Sequence, residues 1–420
     1  MTLLQPSRSL AVLLVFAGLL SCQGLQAADW SIVPAVELRT EFDSNINYSY
    51  RSRLKDYILS LRPGADFNYA TESALLQGRV GLKGFHFISN SNLDTVDQNY
   101  QINGRYQFTP RLGLGLKASY ISDTTMEEEY LASGLTLGRT TRTSYGVTPN
   151  LFVGVSEKLI TSLGYDFNRV NYESPHYRNY LTHTVNWSNE YQCANQKTTL
   201  SSTLLVRDTT YVANNDNYRS LGTYVGLTHK FSDTWQVTAI GGMNFTWTKY
   251  RTVVYGVSYF PVTVIIPGLP PIVVDYPLLI RLQKVQKESA VTPYFDLRTV
   301  KRWDRGSVSA GFMRDQSASG YGTLYQFSRA NASVTYRYTE RMSVTLGGYY
   351  YHSNRAVQRG GSKETSLNLT PTLSYQLTEK FTLTSGYTFG WRENEVSDKT
   401  THRHNVWLSL NYTYPWHFHR

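Results

Sequence analysis

The chain has 420 residues, a formal net charge of +10 and two cysteines, and it contains 33 tyrosines, 17 phenylalanines and 8 tryptophans. A single domain can account for this length. Beyond the N-terminal region, no uninterrupted apolar segment is long and proline-free enough to form a transmembrane helix, which argues against an inner-membrane helical protein.

The N-terminus is typical of a secretory signal peptide. Arg8 is the only charge before an apolar stretch from Leu10 to Leu20, and Ala27 offers a small residue for signal peptidase. The stretch is too short to span a bilayer as a stable helix. We therefore predict a cleaved signal over residues 1–27 and a mature chain over residues 28–420.

The cysteines leave an alternative processing signal open. Leu19-Leu20-Ser21-Cys22 is similar to a lipobox, in which Cys22 would carry lipid, but Leu20 departs from the usual small or β-branched residue. If the cut falls after Ala27, only Cys193 remains and no intrachain disulfide can form.

Long runs of alternating apolar and polar residues fill the mature chain. Apolar residues occupy every second position from Leu112 to Tyr120, and similar runs begin at Trp235 and lead up to Leu377. A period of two indicates a strand with one apolar and one polar face. The runs span about ten residues or more, longer than the roughly 5–6 residues of soluble strands, and their small polar residues suit a wet lumen. The pattern predicts an all-β fold, a transmembrane antiparallel up-and-down β-barrel; a soluble β-sandwich is the alternative.

Short turns of one repeated type separate these runs. Five turns combine an apolar residue, a Thr or Ser, two polar or Pro residues and a second apolar residue, with the Thr or Ser at positions 109, 156, 232, 339 and 378. The periplasmic turns are predicted near Thr71-Glu72, Thr109-Pro110, Ser156-Glu157, Ala194-Asn195, Ser232-Asp233, Trp303-Asp304, Thr339-Glu340 and Thr378-Glu379. The longer loops between them are predicted around residues 43–55, 90–98, 124–142, 174–178, 214–217, 253–286, 319–323, 357–364 and 397–403. This count predicts about 18 strands, within a range of roughly 16 to 20.

One segment departs from the alternation. Within residues 253–286, the stretch from Tyr259 to Pro277 is apolar, almost uncharged and contains five prolines, which exclude a helix. We favour a hairpin that extends two strands above the membrane; a loop folded into the pore as a gate and a docking surface for a partner are the alternatives. The residues assigned to the gate or docking surface are Tyr259, Pro267, Gly268, Pro271 and Asp275.

Projection of the strands places more basic than acidic residues on the lumen face. The basic residues are Arg39, Arg62, Arg79, Lys83, Arg105, Lys117, Arg207, Lys230, Arg298, Arg329, Arg337 and Arg392. The acidic residues are Glu37, Glu41, Asp66, Asp166, Glu190 and Asp296. A low-dielectric wall would focus this positive potential into the channel and favour anionic cargo. Salt bridges that brace the barrel are the second interpretation, and we expect some of both.

No catalytic motif accompanies the strands. Outer-membrane lipases and deacylases place His and Ser two residues apart on one strand face, whereas His352 and Ser353 are adjacent and His86 and Ser89 are three apart. The chain has no Gly-x-Ser-x-Gly, His-Glu-x-x-His or Cys-x-x-Cys-His motif. We therefore expect no enzyme, no cofactor and no metal site.

The start of the mature chain resembles a known family. Its motifs lie in the segments Val33–Leu38, Glu41–Ile46 and Asp56–Gly64. They resemble the β-barrel porin family found with bacterial exopolysaccharide loci, in which an acidic-aromatic-Asp-x-Asn-Ile stretch ends strand one and a Leu-x-Pro-Gly stretch lies in strand two. The resemblance covers about forty residues. It implies an eighteen-stranded barrel that works with a polysaccharide export protein, and the apolar segment within 253–286 departs from the family.

These observations predict a channel in the outer membrane of a Gram-negative bacterium that takes part in export of an exopolysaccharide or another anionic solute. One alternative is the barrel sheath of a porin–cytochrome electron conduit, and another is a passive diffusion porin or surface adhesin. The expected partners are outer-membrane lipid and lipopolysaccharide, with a polysaccharide export protein or, for the electron conduit, multihaem cytochromes. We expect no nucleic-acid partner.

Overall fold

A computed structural model describes residues 29–50, 52–126, 138–213, 216–264, 272–355, 363–395 and 398–419. The predicted signal peptide and Cys22 lie outside the described residues, as do Pro267, Gly268 and Pro271 of the predicted gate or docking segment. Within these ranges, no helix combines the length and apolar character that a membrane crossing requires.

Strands make up most of the described chain, and one 3-10 turn at Ser91–Leu93 interrupts them. The strands are β1 Asp29–Asp43, β2 Asp56–Ala70, β3 Ala74–Phe87, β4 Thr95–Thr109, β5 Leu112–Thr124, β6 Thr141–Gly154, β7 Leu159–Tyr172, β8 Tyr180–Gln192, β9 Thr198–Tyr211, β10 Asp216–Ser232, β11 Trp235–Val264, β12 Ile272–Trp303, β13 Gly306–Ala318, β14 Leu324–Arg337, β15 Met342–Arg355, β16 Glu364–Gln376, β17 Phe381–Asn394, β18 Lys399–Thr413 and β19 Trp416–His419.

The sheet closes into a barrel. Each strand pairs antiparallel with its neighbours along the chain, and β1 pairs with β18 from Ala35 opposite Thr413 to Asp43 opposite Asn405. The short β19 continues this contact with β1 beyond Pro415. The wall therefore has eighteen strands, and the predicted antiparallel up-and-down barrel of about 18 strands is confirmed.

The two faces of the wall differ in chemistry. Leu38 and Leu61 are directly paired between β1 and β2, and both are exposed on the outer surface, as are Val225 and Leu346. An outer band of exposed apolar side chains is the surface that membrane hydrocarbon covers in such barrels. The fold is thus that of an outer-membrane β-barrel.

The repeated turn has a simple physical basis. The hydroxyl of Thr109 accepts hydrogen bonds from the backbone N–H groups of Arg111 and Leu112, at 3.3 and 3.0 Å. Ser156, Thr339 and Thr378 bind the two corresponding N–H groups of their own turns. A Ser or Thr side chain therefore replaces the missing ladder bonds at each of these turns.

All the repeated turns lie at one end of the barrel, here called the short-turn end, and the longer connections lie at the opposite long-loop end. In outer-membrane barrels these ends face the periplasm and the outside, respectively. The buried apolar clusters of the described residues lie at the long-loop end, for example Ile46 with Phe87 and Tyr211 with Leu324. The packed core is therefore confined to one mouth of the barrel.

The expectation of a long loop at 253–286 is corrected. β11 and β12 pair without interruption from Trp235 opposite Lys301 to Val264 opposite Ile272, and they run far beyond the end of β10. In this projecting part β11 and β12 pair only with each other, so both are edge strands. Prolines such as Pro261 and Pro277 are tolerated in edge strands because one side of the strand needs no N–H donor. The backbone here is that of the projecting hairpin.

Several other loops are shorter than predicted, because strand pairing begins inside the predicted loop ranges. Strand pairing already begins at Thr95, Thr141, Glu364 and Lys399, inside the loops predicted at 90–98, 124–142, 357–364 and 397–403. The strand ends at Thr141, Glu364 and Lys399 are polar on both faces, so the alternation of apolar and polar residues fades there before the hydrogen-bond ladder ends, whereas at Thr95 the alternation continues through Val96 and Asp97.

Candidate functional site

The strand registers assign the inner wall, which is the face opposite the exposed apolar surface. Directly paired residues share a face and neighbours along a strand alternate. Because Leu38 and Leu61 point outward, Arg39 and its partner Ser60 point inward. Followed around the barrel, the registers place these predicted basic residues on the inner wall: Arg39, Arg62, Arg79, Lys83, Arg105, Lys117, Arg207, Lys230, Arg298, Arg329, Arg337 and Arg392. Their role as an anion path stays a prediction.

Part of this positive charge is neutralised by ion pairs. Arg39 contacts Glu41 at 2.6 Å, and Arg79 contacts Asp66 at 2.6 Å. The other pairs that involve predicted residues are Arg62 with Glu37 at 3.6 Å, Arg298 with Asp296 at 2.5 Å and Arg392 with Glu364 at 2.5 Å. Bracing by salt bridges therefore accounts for these five basic residues.

The inner wall also holds charges that the sequence projection missed. They include two ion pairs close to the long-loop end, Arg142 with Asp123 at 3.0 Å and Arg403 with Asp43 at 2.5 Å. Asp97 on β4 and Asp315 on β13 add further acidic groups. Most of these residues lie inside or beside predicted loops, so the sequence analysis did not assign them to a strand face. For Asp97, the alternation through Thr95, Asp97 and Asn99 was a signal that could have placed it on the inner face.

The charges are distributed unevenly along the barrel axis. Lys83, Lys117 and Lys230 have no ion pair among the residues that the structure describes. Lys117 and Lys230 lie in the half nearer the short-turn end, together with Arg105, whose guanidinium lies 4.2 Å from the ring of Phe152. Many of the acidic groups lie near the long-loop end, where most are paired, but Asp166 at mid-height and Glu190 near the short-turn end also lie on the inner wall. Lys117, Lys230 and Arg105 outnumber these two carboxylates, so the half of the lumen nearer the periplasm keeps an excess of positive charge.

A cavity of about 770 Å³ lies against this basic part of the wall. Lys117, Arg79 and Asp66 contribute its charged side chains, and Gln77, Gln101, Asn68 and Asn103 contribute amides. Amides and cations together offer donors to a carboxylate or a sugar hydroxyl.

Residues 315–323, here called the inner flap, narrow the lumen near the long-loop end. The Gln316 side chain donates hydrogen bonds to the hydroxyls of Ser220 and Thr246, at 3.0 and 2.9 Å, and accepts one from Thr292 at 3.3 Å. The flap therefore lies across the inner faces of β10, β11 and β12 instead of standing above the wall. The sequence predicted an outside loop at 319–323 and gave no sign that it turns inward.

The far end of the inner flap is held by tyrosines. The Tyr211 hydroxyl donates to the carbonyl oxygens of Ser319 and Thr323, at 3.1 and 2.9 Å, and the Tyr218 hydroxyl donates to Gly322 at 3.3 Å. Gly322 has a φ of +80°, a conformation in which glycine is favoured. The tyrosines thereby fix the flap to β9 and β10 through its backbone.

Other loops join the inner flap to form a layer across the mouth. The backbone N–H of Arg178 donates to the Gly320 oxygen at 2.8 Å, and the Tyr177 hydroxyl donates to the Gly138 oxygen at 2.7 Å. The β1–β2 loop enters from the opposite side, with Tyr48 packed on Met126. We call these segments together the mouth layer: residues 44–50, 125–126, 138–140, 173–179 and 315–323.

The mouth layer also contacts a buried ion pair. The Arg392 guanidinium bonds Glu364 and lies 5.1 Å from the ring of Tyr50. Burial raises the pKa of the Tyr321 hydroxyl well above its usual range, and the neighbouring Glu364 carboxylate adds to this effect. Loops from both sides of the barrel therefore meet at this pair.

Two of the predicted gate or docking residues, Tyr259 and Asp275, lie in the projecting hairpin and not in the barrel wall. Tyr259 is 65% exposed and Asp275 is also exposed, both in the projecting β11–β12 hairpin. Pro267, Gly268 and Pro271 fall outside the described residues. Within the described part of the chain, the constriction is formed by the mouth layer.

Comparisons with known proteins find similar barrels at low identity. The family described as "Putative MetA-pathway of phenol degradation" matches residues 286–410, less than half of the chain. No curated protein matches the chain. OccAB4 of Acinetobacter baumannii is 10% identical, with a TM-score of 0.46, and the match covers 94% of this chain and 99% of that one. OccK2 (OpdF) of Pseudomonas aeruginosa in complex with glucuronate is 10% identical, with a TM-score of 0.45 and coverage of 92% and 98%. The outer-membrane channel DcaP of A. baumannii is 11% identical, with a TM-score of 0.43 and coverage of 93% and 99%.

Proposed function

We propose that the protein is an outer-membrane channel through which hydrophilic anionic solutes diffuse. The observation that carries this proposal is the set of Lys117, Lys230 and Arg105 on the inner wall, none of which is paired with a carboxylate among the described residues. A cation in a low-dielectric channel attracts anions and repels cations over several ångströms. The paired charges near the mouth contribute little to this preference.

Ion selectivity in planar bilayers tests the proposal. The reversal potential in a salt gradient should have the sign of an anion-selective pore. Replacement of Lys117, Lys230 and Arg105 by Gln should shift the reversal potential toward zero, and the shift should be smaller at high salt because the charges are screened. Arg219→Gln is the control, because Arg219 lies on the outer face. This substitution removes a positive charge without changing the lumen. Cation selectivity of the unmodified channel would contradict the proposal.

The finer proposal is that the anionic cargo is an acidic polysaccharide or its fragments, in agreement with the family resemblance of the N-terminal strands. Guanidinium groups lie over aromatic rings at several places on the inner wall, among them Arg39 over Trp407 and Arg105 over Phe152, each at 4.2 Å. An aromatic ring beside a cation suits a sugar ring that carries a carboxylate. A polysaccharide export protein at the short-turn end would be the corresponding partner.

Block of the current by oligosaccharides tests this cargo. Oligogalacturonate added on the short-turn side should interrupt the single-channel current, whereas a neutral maltooligosaccharide of equal length should not. Trp407→Ala and Phe152→Ala should shorten the interruptions, whereas the ion selectivity of the open channel should remain that of the unmodified protein. Equal block by both oligosaccharides would contradict a preference for acidic sugars and leave the anion channel intact.

The electron-conduit alternative receives less support. A cytochrome inside the barrel would need the volume that the mouth layer occupies, where Tyr48, Tyr211 and Tyr325 are almost fully buried. A solute channel requires only the part of the lumen that these side chains leave open.

A further inference from the structure

The junction between β12 and β13 differs from the other strand junctions described in the wall. These strands pair from Trp303 opposite Gly306 only to Phe295 opposite Arg314. β12 then continues with β11 alone to the tip of the hairpin. Pro293, which has no N–H to donate, lies two residues beyond the last pair. Above Phe295, the backbone ladder between β12 and β13 is therefore absent in the described structure.

The upper end of β13 overlaps the inside of β12 instead of lying beside it. In a continued ladder, Thr292 would face Ser317. Its hydroxyl instead donates to the side chain of Gln316 at 3.3 Å, and Gln316 reaches on to Thr246 and Ser220 of the next two strands. We call this overlapped upper junction the seam: residues 288–294 of β12 and 315–318 of β13.

The seam separates two different surroundings by one layer of side chains. On its outer side, Val291 is 59% exposed, and Phe295 below it is exposed as well. On its inner side, Thr292 is 6% exposed and Gln316 only 2%. A lipid-facing apolar surface and the polar lumen therefore meet where backbone hydrogen bonds no longer hold the wall together.

We propose that the seam is a lateral opening through which a small neutral amphiphile passes between the lumen and the outer leaflet of the membrane. Below Phe295 the ladder holds β12 and β13 together; above it, the described bond between them runs from the Thr292 hydroxyl to the Gln316 side chain, and water in the lumen can replace it. Release of the inner flap uncovers the gap without breaking the rest of the barrel, since β13 stays paired with β14 up to Ala318 opposite Leu324.

The groups beside the seam define the class of solute. Hydroxyls of Ser220, Thr246 and Thr292 line its inner side and suit an uncharged polar head. The rings of Tyr224 and Tyr294, with centroids 4.3 Å apart, lie on the adjacent inner wall and suit an apolar or aromatic body. Asp315 of the flap and Arg207, whose guanidinium donates to the backbone oxygen of Gln316 at 3.3 Å, bring opposite charges to this place, so neither an anionic nor a cationic head is favoured. This route therefore takes a different solute from the anion path through the barrel axis.

Access of membrane lipid to Thr292 tests the opening. In a Cys193→Ser background, bimane is attached to Thr292→Cys, and its quenching by lipids with brominated acyl chains is measured in vesicles. Thr182→Cys is the matched control, since Thr182 lies on the inner wall and its strand is paired on both sides. Val291→Cys gives the value for a lipid-facing site.

We expect quenching at Thr292 above the Thr182 value, and a further rise of at least twofold when Gln316→Ala removes the side-chain bonds that hold the start of the flap against β10, β11 and β12. Quenching at Thr292 equal to that at Thr182, with and without Gln316→Ala, would overturn the proposal. Heat-modifiable migration on a gel confirms that each variant folds. If Gln316→Ala does not fold, Gln316→Asn, which shortens the side chain by one carbon, takes its place.

A cross-link separates this route from the axial channel. Thr292→Cys and Gln316→Cys are joined by a short bifunctional thiosulfonate, with Ser309→Cys and Ser333→Cys, an ordinary pair of β13 and β14, as the control. Uptake of the neutral probe N-phenyl-1-naphthylamine into the outer membrane of porin-deficient cells should fall severalfold only for the seam cross-link. Ionic conductance in planar bilayers should stay unchanged. If conductance falls while uptake stays, the flap gates the axial pore and the lateral opening is refuted.

Discussion

The buried ion pair of Arg392 and Glu364 allows a quantitative test of how the mouth of the barrel is held together. The side chains are only 4% and 5% exposed, with a separation of 2.5 Å, and Asn394 donates a further hydrogen bond to Glu364 at 3.2 Å. Arg392→Gln leaves the Glu364 carboxylate buried without its counter-charge. Removal of one partner of a buried pair costs about 3–5 kcal/mol.

The pair of Arg79 and Asp66 is a matched control in the same lumen. Its ion contact, 2.6 Å, is as short, but its side chains are 64% and 50% exposed. Such exposed pairs contribute about 0–1 kcal/mol. Arg79→Gln should therefore lower the free energy of unfolding by a small fraction of the loss caused by Arg392→Gln, although both changes remove one Arg from one ion pair.

Urea unfolding in lipid vesicles, followed by tryptophan fluorescence, measures both losses. The double variant Arg392→Gln and Glu364→Gln should recover more than half of the stability that Arg392→Gln loses, because no charge is then left buried. Equal losses for Arg392→Gln and Arg79→Gln, or no recovery in the double variant, would refute the assignment of Arg392 and Glu364 as a buried pair that anchors the mouth layer.

Three further predictions concern the barrel, its hairpin and its mouth. The mature protein should fractionate with the outer membrane and migrate differently on a gel before and after boiling, since a closed barrel satisfies its backbone groups internally; identical migration would contradict the barrel. Replacement of residues 259–277 by Asn-Gly should leave heat-modifiable migration and conductance unchanged, because Ser258 and Leu278 are already paired and a two-residue turn can join them; a larger conductance would mean that the hairpin obstructs the pore. The raised pKa of Tyr321 means that its ionisation opposes the folded mouth layer. The associated stability is complete below about pH 10, the ordinary pKa of tyrosine, and is lost as the pH rises above it; Tyr321→Phe should remove this part of the pH dependence, and an unchanged alkaline loss would refute it.

The barrel could be predicted because its rules are local. Alternation fixes which residues of a strand share a face, and a Ser or Thr such as Thr109 or Thr378 marks each repeated turn by binding the N–H groups two and three residues later. Both signals lie within one hairpin. The placement of Lys117 and Arg105 on the inner wall follows from the same alternation.

The inner flap could not be predicted because its partners are distant in sequence. Tyr211 binds Ser319 across 108 residues, and Gln316 binds Ser220 across 96 residues. Nothing in the composition of residues 319–323 distinguishes a loop that turns into the lumen from one that turns toward solvent. The misplaced loop boundaries had a different cause, since polar strand ends such as those at Thr141 and Glu364 resemble loops when hydrophobic alternation is the only signal.

The positions of the mouth layer and the unpaired lysines together constrain how the channel selects its cargo. A solute that enters from the long-loop end first meets paired charges and buried tyrosines, such as Arg403 with Asp43 and the Tyr211 contact of the inner flap, which exert little net attraction on an ion. It reaches Lys117 and Lys230 only after it has passed this constriction. Size is therefore selected before charge from the outside, whereas a solute from the short-turn end meets the unpaired cations first. An anion that approaches from the periplasm is therefore concentrated beside Lys117 and Lys230 before it reaches the narrow part, whereas the net direction of its diffusion is set by the concentration gradient and the membrane potential.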